Sequence, residues 1–348
     1  MNDRHGHATA ELERFIRAAP KVELHLHIEG TLEPDLLITL ADRHGINLPY
    51  RDVDDVRAAY RFTDLQSFLD IYYQGAAVLL DASDFERLTW SYLNRMAAEN
   101  MRHVEIFFDP QTHTERGVRF DDVVDGIAAA LHRAERELGI TSGLIACLLR
   151  HLGPEAAEAT VASVVRRDDA IIGLGLDSSE HGFPPEPFAP LFDRVRAYGL
   201  HTVAHAGEEG DASYITGALD ALNAERIDHG IRALDDPAVV DRLATDRVPL
   251  TVCPLSNLAL CVVDDLSTHP LRALLDADLV ATVNSDDPAY FGGYLTDNFL
   301  RVTDALDLGT AELARLLGNA IEASFAPTAR KADLRAELEQ TMTPDPLM

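Results

Sequence analysis

The chain has 348 residues, 47% hydrophobic and 25% charged, with no low-complexity tract. That composition is globular, and the length fits one α/β barrel carrying insertions. A formal net charge of −28 sets the surface against phosphate backbones and anionic lipid, which excludes nucleic acid and membrane surfaces as partners. The opening residues hold no apolar core of signal-peptide length, and no later run is long enough to cross a bilayer. A cytoplasmic location is therefore expected. The cysteines, Cys147, Cys253 and Cys261, lie in or beside apolar segments and read as buried free thiols of a reducing compartment.

In chain order, the first histidine pair is His5-Gly6-His7, in a polar stretch with no strand around it. The first strand is expected over 22–27. There Glu23, His25, His27 and Glu29 alternate with Val22, Leu24, Leu26 and Ile28. A period of two places the four polar residues on one face. Roughly 75 residues then precede the next strand, far more than a simple βα unit needs. Helices are expected there over 34–43, 64–80 and 83–100, the last with a Ser83/Glu86 capping box. The stretch 33–100 reads as a helical cap over the barrel mouth.

Further strands are expected over 103–108, 143–149, 171–177, 200–205, 226–229, 249–253 and 279–284. Helical patterns over 121–138, 187–198, 236–244 and 269–276 alternate with them. Eight β-then-α units predict a TIM barrel, one domain over 1–348. A doubly wound sheet ranks second, because no glycine-rich turn follows the first strand. Helices over 296–306 and 310–324 follow the eighth strand, and the last ten or so residues are expected to be loose.

The chemistry gathers where strands end. His25-Leu26-His27 closes the first, His205-Ala206-Gly207-Glu208 the fifth, Asp228-His229-Gly230 the sixth and Ser285-Asp286-Asp287-Pro288 the eighth. Each is weak alone. A strand histidine is more often a satisfied core side chain, and Asp-Asp-Pro is often a turn. Together they place His25, His27, His205 and Asp286 at one mouth, where three imidazoles and a carboxylate suit one zinc ion with a position left for water. Four unpaired polar groups in a barrel interior without such a role would be costly. Glu208 follows the turn at Gly207 and is placed to serve as proton donor. His229 is placed to orient or deprotonate a water as a neutral imidazole. Asp287 points away from the metal towards a substrate N–H. His103-Val104-Glu105 lacks the P-C-x-x-C partner of small zinc deaminases, and no G-x-S-x-G motif is present.

With Glu29-Gly30 added, these motifs resemble the adenosine/adenine deaminase branch of the metal-dependent hydrolases, in family order over residues 25 to 288. The resemblance implies a TIM barrel with one zinc ion on His25, His27, His205 and Asp286. It also implies Glu208 as proton donor, His229 assisting the water and Asp287 on the substrate. Phe107–Thr114, Asp177-Ser178-Ser179-Glu180 and Cys253–Leu258 are similar to the members of that branch that act on adenine. Ser179, Glu180 and Gly207 are expected near the substrate. The implied reaction is adenine plus water giving hypoxanthine plus ammonia, in purine salvage or catabolism. A carboxylate at Asp287 would favour the N7–H tautomer open to the free base. Adenosine or an N6-substituted adenine is the nearest rival substrate. Hydrolysis of an unrelated C–N bond and a non-catalytic zinc-binding barrel are more distant readings. The sequence is compatible with a homo-oligomer.

Overall fold

The computed structural model describes residues 10–342. His5 and His7 lie outside them. Eight parallel strands run in sequential order around a barrel: β1 (Lys21–Glu23), β2 (Met101–Phe108), β3 (Thr141–Leu149), β4 (Gly173–Asp177), β5 (His201–Ala206), β6 (Arg226–His229), β7 (Pro249–Val252) and β8 (Val280–Val283). This is the TIM barrel that the alternating pattern predicts. Beyond the ends of β1 and β8 the ring closes through a parallel bridge between Leu26 and Asp286. The Asp286 N–H donates to the His25 carbonyl at 3.1 Å, and the His27 N–H to the Asp286 carbonyl at 3.0 Å. Three expected metal ligands thus form the seam of the barrel.

The strand β1 is shorter than its alternation predicts. Its ladder ends at Glu23, and the Leu24 N–H turns to the Asn284 side chain. Glu23 consequently leaves the wall of His25 and His27. Its carboxylate accepts from Tyr92 Oη at 2.6 Å and from the Ser285 N–H and hydroxyl.

The segment between β1 and β2 forms four helices, Pro34–His44, Val53–Ala59, Leu65–Ala76 and Ala82–Ala98. They divide the work. Leu65–Ala76 sends Leu65, Phe68, Leu69, Tyr72 and Tyr73 over the mouth. Ala82–Ala98 packs beside the helix Phe120–Leu138 in the outer ring, so only part of the segment is a cap. Its capping box sits earlier than the Ser83/Glu86 pair: Asp81 accepts from the N–H groups of Ser83 and Asp84, and Asp84 accepts from that of Asp81. Aspartate caps as well as serine, and here it comes first. The last helix, Thr328–Met342, replaces the first part of the expected loose tail. Cys147 and Cys253 are buried, whereas Cys261 is exposed just past the short helix Pro254–Ala259, which corrects the expectation of three buried thiols. Among the described residues, no helix is long and apolar enough to cross a membrane.

Candidate active site

The strand ends converge as the sequence predicts. His25 Nε2 lies 3.2 Å from Asp286 Oδ1, and His27 Nε2 lies 3.2 Å from His205 Nε2 and 3.5 Å from Asp286 Oδ1. All four side chains are buried. His229 belongs to the same knot: ligand atoms of His25, His205, His229 and Asp286 all lie within 4.8 Å of one another. His25 Nε2 has no hydrogen-bond partner there despite full burial. Buried polar atoms are rarely left unpaired, and a cation resolves the mismatch of an orphaned imidazole nitrogen beside a carboxylate. The donor set fits a zinc ion.

The ligand tautomers are set from below. His25 Nδ1 sits 2.9 Å from Thr251 Oγ1, which donates to Asp228 Oδ1 at 2.8 Å. With the threonine proton committed, Nδ1 carries the imidazole proton and Nε2 keeps its lone pair towards Asp286. Asp228 Oδ2 also lies 3.5 Å from His205 Nδ1. Asp228 was visible in its motif only as a neighbour of His229, because its reach to Thr251 on β7 is a tertiary fact.

Glu208 reaches the cluster because Gly207 turns the chain at φ 74°, where a Cβ would strike Ile215 at 2.7 Å. Its carboxyl lies 3.5 Å from His229 Nε2 and accepts a long bond from Asn257 Nδ2. Burial, reinforced by Asp286 and Glu180, pushes the Glu208 pKa well above the ordinary carboxylate value, which favours its protonated form. Burial and the neighbouring His25 push His229 down to about 3, so its imidazole is neutral. Asp287 lies against Gly30, where a Cβ would come within 2.1 Å of Asp287 Oδ1; that contact explains the glycine of the Glu29-Gly30 pair. Burial and Asp286 raise the Asp287 carboxyl well above its ordinary value. Three non-glycine residues at strand ends, Ser178, His229 and Asp286, hold positive φ. Strain of that kind gathers where side chains are aimed for function.

These groups line a cleft of about 430 Å³, counting its opening to solvent, roofed by Leu65, Phe68, Leu69, Tyr72 and Phe291. Ser178, not Ser179, is on its wall. Ser178 Oγ lies 2.8 Å from His151 Nδ1. Glu180 sits beneath the cleft: its carboxylate accepts from the N–H groups of Gly207, Glu208 and Gly210. That gives it a positioning role under the Glu208 turn, and it also engages the Gly207 N–H. Glu29 likewise turns away from the cleft, to His113 Nε2 at 2.7 Å and the Asp109 N–H at 3.1 Å. The sequence places the Asp109–Thr114 segment at the mouth and Asp177 in a motif without giving either carboxylate a role, and it offers no sign of Arg150, whose Nη2 donates to the His205 carbonyl at 2.7 Å. No motif marks Arg150, since it acts where β4 and β5 part above Gly173–Leu174.

Residues 20–341 match the adenosine deaminase family model. The adenine deaminase of Cupriavidus necator is 56% identical over 97% of this chain and 96% of its own length. That of Rhodospirillum rubrum is 56% identical over 93% of this chain and 97% of its own. The crystal structure of adenine deaminase from Arthrobacter aurescens, 51% identical, superposes with a TM-score of 0.91 over 93% of this chain and 99% of that one. An amidohydrolase of Burkholderia ambifaria with bound zinc, 28% identical, superposes at 0.89 over 97% and 96%.

Proposed function

The chain belongs to the adenosine deaminase family, and on that premise we propose that it hydrolyses free adenine to hypoxanthine and ammonia with one zinc ion on His25, His27, His205 and Asp286. The observation that carries the reading is Glu208: a buried carboxyl 3.5 Å from His229 Nε2, at the edge of a four-donor group, inside a roofed cleft. Zinc, when bound, supplies the Lewis acidity that brings a water molecule's pKa towards ~7.

The chain's own residues divide the remaining work. Glu208 donates its proton to N1 of the purine, which makes C6 electrophilic and breaks the ring's aromaticity. His229, neutral, orients the attacking water through Nε2. Asp287 bonds the N7 edge. The roof of Leu65, Phe68 and Leu69 excludes bulk water and strengthens each of these contacts. Water adds at C6; one of its protons passes to the exocyclic nitrogen, which leaves as ammonia, and the other restores the Glu208 carboxyl. Non-catalytic zinc binding fits poorly with an intact proton donor and four intact ligands.

Adenine should be deaminated with a kcat/KM at least ~10²-fold above adenosine. The measurement is ammonia release from adenine, adenosine and an N6-alkyl adenine at matched concentration. Equal or better turnover of adenosine would remove the free-base reading and leave the deaminase. Preference for the N6-alkyl compound would reassign the substrate.

A further inference from the structure

Two buried carboxylates on the cleft wall have no part in the reaction above. Asp109, at the end of β2, and Asp177, at the end of β4, are only 3% and 2% exposed. Both line the cleft, and Asp109 Oδ1 and Asp177 Oδ1 lack any hydrogen-bond partner. The other Asp109 oxygen is committed, accepting from Tyr72 of the roof at 3.0 Å. His27 stands between this pair and the metal group. Its Nε2 faces His205 and Asp286, while its Nδ1 lies 3.8 Å from both Asp109 Oδ1 and Asp177 Oδ2. A separation of 3.8 Å is too long for a hydrogen bond, so the imidazole does not satisfy the two carboxylates. Burying an acceptor without a donor is costly, and more so when it is charged, unless a ligand supplies the donor.

The geometry of the reaction says which donor arrives. C6 must sit at the metal group, with N1 at Glu208 and N7 at Asp287. The edge opposite C6 carries N3 and N9, and it points beyond His27. In free adenine N9 bears a hydrogen; in a nucleoside it bears a sugar. We propose that Asp109 Oδ1, flanked by Asp177, accepts the N9–H of the free base and is the residue that separates base from nucleoside. The proposal rests on the adenine reading and deepens it. In the N9–H tautomer of adenine, N7 is an acceptor just as it is in the nucleoside, so a contact at N7 does not by itself separate the two. Asp109 does, because N9 substitution both removes the donor and presses carbon against a charged, desolvated oxygen. A site built around a substrate N–H rejects an analogue lacking it far more strongly than an apolar pocket rejects an extra methyl.

The test compares adenine with 9-methyladenine, which keeps the ring and loses only the N9–H. Wild type, Asp109→Ala and Asp109→Asn are assayed after zinc content is confirmed equal. In wild type, adenine should exceed 9-methyladenine by at least ~10²-fold in kcat/KM. In Asp109→Ala, adenine should fall at least ~10-fold while 9-methyladenine holds or rises, so the ratio collapses. Asp109→Asn keeps an acceptor and should restore part of the adenine rate without improving 9-methyladenine. Equal falls for both substrates would mean a merely structural residue and overturn the proposal. An unchanged adenine rate with 9-methyladenine rising would mean steric exclusion alone and also overturn it. A second bound zinc lost on Asp109→Ala would assign the His27–Asp109–Asp177 group to a cation instead. Absence of adenine turnover in wild type would instead strike the adenine reading itself.

Discussion

The two ends of the barrel interior bury charge in opposite ways. At the floor, Glu105 and Arg226, both fully buried, meet at 2.6 Å. His103 Nε2 lies 3.2 Å from the same carboxylate. Arg226 also donates to the carbonyls of Leu24 and Ala323, and its guanidinium lies 4.7 Å over the Phe325 ring. Burial alone would raise the Glu105 pKa, but the charges and hydrogen bonds of Arg226 and His103 together outweigh it and hold the group at about 2. At the mouth, by contrast, atoms of His25, Asp109, Asp177 and Asp287 are as buried as those of the floor and have no partner. The floor pairs its opposite charges within the chain, with only Arg226 Nε left without a hydrogen-bond partner, so it stabilises. The mouth leaves its electrostatics for a cation and a ligand to complete, so it acts.

The comparison breaks most visibly at a ligand. His205→Ala should abolish turnover and lower zinc below about one per chain while the far-ultraviolet circular dichroism stays that of wild type. Full activity of a metal-free protein would end the metal reading.

A floor substitution should do the reverse. Arg226→Met leaves Glu105 buried without its partner and should cost about 3–5 kcal/mol in chemical denaturation. Adding Glu105→Leu should return much of that loss, because the uncompensated charge is gone. The sign with pH follows from the depressed Glu105 pKa. Its contribution is complete above the ordinary value of 4.5 and disappears as pH falls towards about 2. Arg226→Met should lose that acid-side dependence.

Glu208→Gln should retain zinc and stability but lower kcat by at least ~10²-fold. Because Glu208 acts as an acid with a raised pKa, wild-type kcat should fall as pH rises through that pKa. The glutamine variant should lack that alkaline limb. Persistence of the limb would move the proton donor elsewhere.

The smallest effect is expected between the two ends. Asp228→Asn weakens the support of His25 and His205 without touching the ligands, and should cost ~10–100-fold in zinc affinity. Unchanged affinity would show that Thr251 alone sets the His25 tautomer.

What the sequence determined by itself was periodicity and the chemistry at its breaks. Eight apolar runs, each ending at a turn, specify a barrel, and His25, His27, His205 and Asp286 at those ends specify a single mouth. Glu208 was legible because Gly207 must turn where it does. These are local properties, carried by neighbouring residues and by backbone preference. Tertiary structure alone decided which buried group found a partner. Glu105 meets Arg226 across 121 residues of chain, and Glu23 leaves its expected wall for Tyr92 and Ser285. Asp109 stands out in sequence only as part of the Phe107–Thr114 segment; barrel closure sets its carboxylate beside Asp177 and the cleft. Alternation says which way a side chain points. Whether its charge is answered depends on strands that meet only when the ring closes, and that difference separates floor from mouth.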